Sequence, residues 1–199
     1  MVDDIVRQAE QRWNAPTSKV HDNHAEGPVY TVRRLQVTDW RMFRSLRLEA
    51  LADTPLGFGE TLAEAERLTD ADWWHRAEAL AHRTDQAMLV AAAQETLVGM
   101  AGVRWRDPQT AEIVAVYVTP RMRGQRFGLG RLLLDAVHGH VVTTAPGSRI
   151  VLYVHPLNAR ALTFYNRNGF ALTGEIRHHR FDARHHWLQM ASVSWTERV

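Results

Sequence analysis

Residues 117–134, YVTPRMRGQRFGLGRLLL, set Arg121, Arg123, Arg126 and Arg131 among Gly124, Gly128 and Gly130, directly ahead of an apolar-periodic segment. A glycine-rich turn that opens a helix aims backbone N–H groups and the positive helix end at one point. The natural ligand of such a point is a phosphate. The glycines let the backbone close around the anion without Cβ clashes, and the arginines bring charge to where a polyphosphate would sit.

Most phosphate ligands are excluded by what is missing. A Walker-type loop needs Lys followed by Ser or Thr at the helix start, whereas Gly130 is followed by Arg131 and Leu132. The single lysine, Lys19, lies in a polar N-terminal stretch, which argues against a Schiff-base lysine or a kinase-type strand lysine. A dinucleotide fold wants Gly-x-Gly-x-x-Gly early in a βαβ unit, and the glycines here are in the second half of the chain.

Residues 125–130, QRFGLG, read Q-x-x-G-x-G, which resembles the pyrophosphate-binding signature of the GNAT superfamily of acyl-CoA-dependent N-acyltransferases. A second segment, residues 152–174 (LYVHPLNARALTFYNRNGFALTG), is similar to the family's later strand and helix, with Asn158, Ala161, Tyr165, Gly169 and Phe170 at the expected positions. The resemblance covers roughly residues 29–195. It departs from the family in one place, because two more residues than usual separate Pro120 from Gln125. A signature starting at Arg123 would put Arg126 where a glycine is expected. The Gln125 register leads directly into the helical stripe Leu132, Leu133, Ala136 and Val137.

The resemblance implies a mixed α/β GNAT fold: a central, mostly antiparallel twisted sheet of six to seven strands, flanked by helices, with a splayed strand pair that holds the acyl-CoA. It implies acetyl-CoA as co-substrate, with Arg123, Gly124, Gln125, Arg126, Phe127, Gly128, Leu129, Gly130 and Arg131 around the pyrophosphate. Backbone groups of the strand through Val116, Tyr117 and Val118 would serve the pantetheine and the thioester oxygen, with Asn158 beside them. Tyr165 would protonate the departing thiolate, and the competing reading of that tyrosine is a core aromatic beside Phe164 and Phe170. The implied reaction is transfer of acetyl to a primary amine of a small molecule by direct attack in a ternary complex. The alternatives are acetylation of a protein or peptide, at an N-terminus or a side chain, and an acyl-CoA-binding module without turnover.

Such a transfer needs a neutral amine, and ordinary ammonium groups with pKa near 10 must lose a proton first. Glu112, at the start of the strand 112–118, is the first candidate for that base, against the plain reading of a solvated strand end. Glu60 and Asp53, on the loop that shapes the acceptor site in the family, come next. His178-His179 and His185-His186 flank Phe181-Asp182-Ala183 and should face each other across a hairpin. Adjacent residues on a strand point to opposite faces, so no more than half of these histidines share a side. A polar rim to the acceptor pocket, with no metal, is the expectation. Trp73, Trp74 and Trp105 are expected as core or pocket wall.

The elements that must position these groups can be read from periodicity. Residues 29–37 alternate like a first strand. Thr38 should cap a helix carrying Trp40, Phe43, Leu46, Leu48 and Leu51. Thr61 with Glu64 and Thr69 with Asp72 have capping-box spacing. Residues 87–93 and 97–105 read as a hairpin, 111–118 and 149–154 as strands and 158–168 as a helix. A strand pair ending near Trp195 completes the order. Residues 1–28 read as an N-terminal extension and 29–199 as one catalytic domain.

The 199 residues, 45% of them hydrophobic, suffice for one sizeable core. No run approaches a membrane span, the first residues lack the order of a signal peptide, and there is no cysteine. A cytoplasmic monomer or homodimer is expected. The pI of about 9.4 does not signal nucleic acid, because the formal net charge is only +2 and few groups titrate between neutrality and pH 10.

Overall fold

The structure is a computed structural model and describes residues 30–193 apart from Gln125. The extension expected over residues 1–28, and Trp195, lie outside the described residues. Two of its strands are apolar on both faces: β2 (Gln86–Ala93) and β3 (Thr96–Asp107). Strands of that kind belong in the interior of a sheet covered on both sides. They pair as the expected hairpin and hold the middle of one half of a seven-stranded sheet, ordered β1-β2-β3-β4-β5-β7-β6. The other strands are β1 (Thr31–Arg34), β4 (Thr110–Val118), β5 (Arg149–Val154), β6 (Phe170–His178) and β7 (His186–Ser192). Every neighbouring pair is antiparallel except β4 with β5.

Helices cover both faces. On one side α1 (Trp40–Asp53), α2 (Leu62–Glu66) and α3 (Asp70–His82) bury Phe43, Leu46, Leu51 and Trp73 against Met88, Val90, Met100 and Tyr117. On the other side α4 (Leu129–Thr144) buries Leu133, Leu134 and Val137 against Leu89, Ala101, Val103 and Ile113, with α5 (Ala159–Arg167) alongside. Both capping boxes form: the Thr61 hydroxyl accepts from the Glu64 N–H, and the Thr69 hydroxyl from the Asp72 N–H. Thr38 does not cap α1. It lies inside a short 3-10 turn, Val37–Asp39, and the Asp39 carboxylate accepts from the Gln36 N–H at 2.8 Å while pairing with Arg33 at 2.6 Å. A half-buried ion pair from β1 thus accompanies the start of the helix two residues further on. Among the described residues no helix is long and apolar enough to cross a membrane.

Candidate active site

The parallel ladder between β4 and β5 runs from Thr110↔Arg149 only as far as Ile113↔Leu152. Beyond it the strands part, and the cause lies in β4. Ala115 has φ +53, and opposite β3 the register slips, with Gly102 facing Val114 but Met100 facing Tyr117. One extra residue on β4 makes a bulge, which bends the strand and interrupts its pairing. A cleft of about 830 Å³ opens there, lined by Val116, Tyr117 and Val118 on one wall and Tyr153, Val154 and His155 on the other. Strand edges of this kind offer unpaired backbone donors and acceptors.

At one end of the cleft is the arginine-glycine loop. Gly124 has φ +105 and Gly128 φ +59, conformations that favour glycine, and Gly128 is the N-cap of α4. Gly128, Gly130 and Arg131, at the start of that helix, line the cleft, and the free N–H groups of a helix start suit an anion. Gly130 has a different reason to be glycine. A Cβ there would stand 3.1 Å from the ring of Phe164, so its absence lets α4 and α5 approach. Tyr30, just before β1, donates its hydroxyl to the Phe127 carbonyl and ties the loop to the sheet edge.

The expected cofactor residues divide into three groups. Val116, Tyr117, Val118, Gly124, Gly128, Gly130, Arg131, Asn158 and Tyr165 line the cleft. Leu129 is a core side chain, Phe127 packs against the core, Arg126 lies over the Phe127 ring, and Gln125 lies outside the described residues. Arg123 lines the cleft, but its guanidinium is taken. Its Nε donates to the Val118 carbonyl at 2.7 Å and its terminal nitrogens pair with Asp53. It straps α1 to the end of β4, and it uses a carbonyl expected to be free for the pantetheine. Asn158 caps α5, its side chain accepting from the Ala161 N–H at 3.0 Å.

Tyr165 is buried on α5, at 9% exposure, yet it lines the cleft, and its hydroxyl has no hydrogen bond among the described residues. Burial raises its pKa, so the phenol keeps its proton throughout the neutral range. Both properties suit a proton donor.

The carboxylates expected as bases are all held by guanidinium groups. Glu112, at 3% exposure, takes Arg104 at 2.9 Å, Arg177 at 3.1 Å and, closely, Arg106, and it does not line the cleft. Burial alone would raise its pKa, but the hydrogen bonds and charges of Arg104 and Arg177 outweigh that and hold it below the ordinary value. This geometry does not favour Glu112 as the base: the carboxylate holds β3, β4 and β6 together. Glu60 is shared by Arg76 at 2.9 Å and Arg47 at 3.0 Å. Burial opposes these two arginines at Glu60, and they still hold its carboxyl low. At Asp53 the lowering comes first from the hydrogen bond of Arg123.

Sequence reading missed His155, at the end of β5 just before Pro156. It is buried and stands between the rings of His179 and His185, at 5.0 and 5.3 Å. His155, Asp182 and His185 bring one ligand atom each within 4.8 Å of one another, which a metal could use. The His155 Nδ1, however, accepts from the Leu157 N–H at 3.3 Å, which puts the proton of the neutral ring on Nε2, facing Asp182 Oδ2 at 3.3 Å. His185 Nδ1 reaches the same oxygen at 2.8 Å, and its hydrogen bond is the main reason the Asp182 carboxyl is held far below its usual range. His179 repeats the pattern: Nδ1 accepts from the Phe181 N–H, and Nε2 faces the Leu56 carbonyl at 3.4 Å. Of the two expected pairs, only His178 and His186 face each other directly across the hairpin. The buried histidines instead brace the β6–β7 turn against β5 and the loop after α1.

Residues 43–170 match the family model described as acetyltransferase (GNAT) family. The chain belongs to that family. No curated protein matches the sequence. Among solved structures, yncA from Salmonella typhimurium, determined with acetyl-CoA, aligns at 20% identity and a TM-score of 0.65, covering 86% of this chain and 96% of that one. A spermidine N-acetyltransferase from Vibrio cholerae, determined with CoA and spermine, aligns at 18% and 0.65, covering 82% and 95%. An acetyltransferase from Salmonella typhimurium that modifies the N-terminal serine of a 50S ribosomal subunit protein aligns at 16% and 0.64, covering 83% and 94%. At these identities the likeness is one of fold. This GNAT protein shares its fold with a spermidine N-acetyltransferase and with an enzyme that modifies a protein N-terminus.

Proposed function

We propose that this GNAT protein transfers an acetyl group from acetyl-CoA to a primary amine of a small molecule, by direct attack within a ternary complex. The observation that carries the reading is the cleft itself. The β5-facing edge of β4 beyond Ile113, a helix N-terminus and a tyrosine hydroxyl with no hydrogen bond among the described residues border one continuous space. Acetyl-CoA supplies the activated acyl group and fits these features in kind: its pyrophosphate suits the α4 N-terminus, and its pantetheine amides suit the open strand edges. Solved GNAT structures with CoA or acetyl-CoA support the same assignment. In this reading Tyr165 delivers its proton to the leaving sulfur, and Gly124 and Gly128 keep the loop open to the anion.

None of the carboxylates expected as bases is without a guanidinium partner; the His155 Nδ1 is taken by the Leu157 N–H, and its Nε2 is enclosed 3.3 Å from Asp182 Oδ2 with no hydrogen-bond partner among the described residues. The acceptor then reacts from its own neutral fraction. At pH 7 that fraction is about 10% for an α-amine of pKa near 8, and about 0.04% for an amine of pKa near 10.4. Release of free thiol from acetyl-CoA, followed over an amine panel, tests the proposal. Coenzyme binding without thiol release on any amine, peptides included, would favour a binding module.

A further inference from the structure

The acceptor end of the cleft is ringed by positive charge that its carboxylates do not balance. Glu112 is surrounded by three arginines and Glu60 by two, so each cluster keeps a net positive charge. Both clusters touch the cleft wall. The Arg177 guanidinium carbon lies 3.6 Å from the centre of the Tyr153 ring, and that of Arg47 lies 4.4 Å from the centre of the Phe58 ring; both rings line the cleft. Arg47 also carries an unmet demand. Its Nε and Nη2 are held by Glu60, while Nη1 is buried with no hydrogen-bond partner among the described residues. That nitrogen is enclosed and Arg47 does not line the cleft, so Arg47 acts as a charge behind the Phe58 ring and not as a contact. Two nearby carboxylates have no arginine partner among the described residues. Glu49 and Glu175 are exposed, and neutral donors, Tyr117 and Gln189, already occupy them.

We infer that the acceptor is a zwitterion: a small amine with an apolar body that also carries a carboxylate or a similar anionic group, drawn by the charges of Arg47 and Arg177 behind the Phe58 and Tyr153 rings. The inference rests on the transferase reading above and names its substrate class. A polycation would meet like charge on the cleft wall, which opposes it, whereas an anionic group is drawn in. The same field favours loss of the ammonium proton, because neighbouring positive charge disfavours the charged form of an amine. The arginine shell can therefore stand in for the missing base. Phe58, Tyr153 and Trp187 supply an aromatic lining for the apolar body.

Matched amines test this directly. Phenylalanine, phenethylamine and spermidine are compared as acceptors by thiol release from acetyl-CoA. The expected result is that kcat/KM for phenylalanine exceeds that for phenethylamine by about 10-fold or more, a gap that added salt and Arg177→Gln both narrow. Arg104 and Arg106 continue to neutralise Glu112 in that variant. Binding is read separately, from the melting temperature of the CoA-saturated protein with N-acetylphenylalanine or N-acetylphenethylamine. A rise with the first and not the second is expected. Such a rise without turnover on any amine would support the anion site and sink the transferase reading. Turnover of spermidine or phenethylamine at or above the rate of phenylalanine, or equal melting shifts from the two acetyl compounds, would overturn the inference and leave acetyl transfer standing.

Discussion

The two ends of the cleft are built in different ways. The coenzyme end is made by one short stretch of chain, from the bulge at Ala115 through the left-handed glycines to the first turn of α4, and most of what it offers is backbone. The acceptor end is made of side chains from β3, β4, β5, β6, the β6–β7 turn and the loop after α1, joined by ion pairs and imidazoles. Backbone chemistry is the same whatever the side chains, so a local motif can preserve it. A wall of side chains can be rebuilt one residue at a time, which allows one scaffold to serve many acceptors.

That contrast fixes how each end should respond to change. The largest effect is expected at Tyr165. Tyr165→Phe removes only a hydroxyl and should lower kcat by roughly 10- to 10³-fold, with coenzyme affinity and melting temperature nearly unchanged. Unchanged turnover would make it a core aromatic. Glu112→Gln should act on stability, lowering it by about 3 kcal/mol because three arginines lose a buried counter-charge. Its kcat/KM profile against pH should run parallel to wild type. A profile that recovers selectively at high pH would restore Glu112 as the base. Gly128→Val forces a β-branched residue to φ +59, and should sharply reduce the rise in melting temperature that coenzyme A gives the folded protein. NAD and ATP should give much smaller rises than coenzyme A with the native loop.

Smaller effects probe the acceptor-end brace and the bulge. Burial, joined by the neighbouring His179, lowers the pKa of His155 in the folded state. As pH falls below about 6.5 the unfolded chain takes up that proton more readily, so this group's contribution to stability is present above that pH and lost below it. Melting temperature measured from pH 7 to pH 5 should fall less steeply in His155→Gln than in wild type. Ala115→Gly should be the mildest change. It relieves a left-handed alanine at some cost in chain entropy, for a net gain of about 1 kcal/mol or less in denaturant unfolding.

The sequence made one end of the cleft far more legible than the other. Gly124, Gly128 and Tyr165 could be placed because their requirements are local: a turn, a helix start, a fixed offset along one helix. Five of the strands and both capping boxes were visible for the same reason. The ion pairs of Glu112 were not legible, because they come from Arg104, Arg106 and Arg177, and the register that brings Arg177 across two further strands leaves no periodic trace. Arg123 sits inside the motif, yet Asp53, seventy positions away, claims it. His155 carried one weak local sign, its place at a strand end before a proline.

The four-rung ladder between β4 and β5 also divides the sheet into two panels, β1–β4 and β5–β7, joined edge to edge over a short seam. Within each panel every pairing is antiparallel, whereas the seam is parallel and stops at the cleft. A bound coenzyme would extend it with hydrogen bonds on both sides, acting as a length of strand that the polypeptide itself does not supply. The two panels should then open as separate cooperative units in the free protein and as one in the complex. Amide hydrogen exchange would report this as a rise in protection across β5 and β7 on coenzyme binding, extending well beyond the residues that touch the ligand.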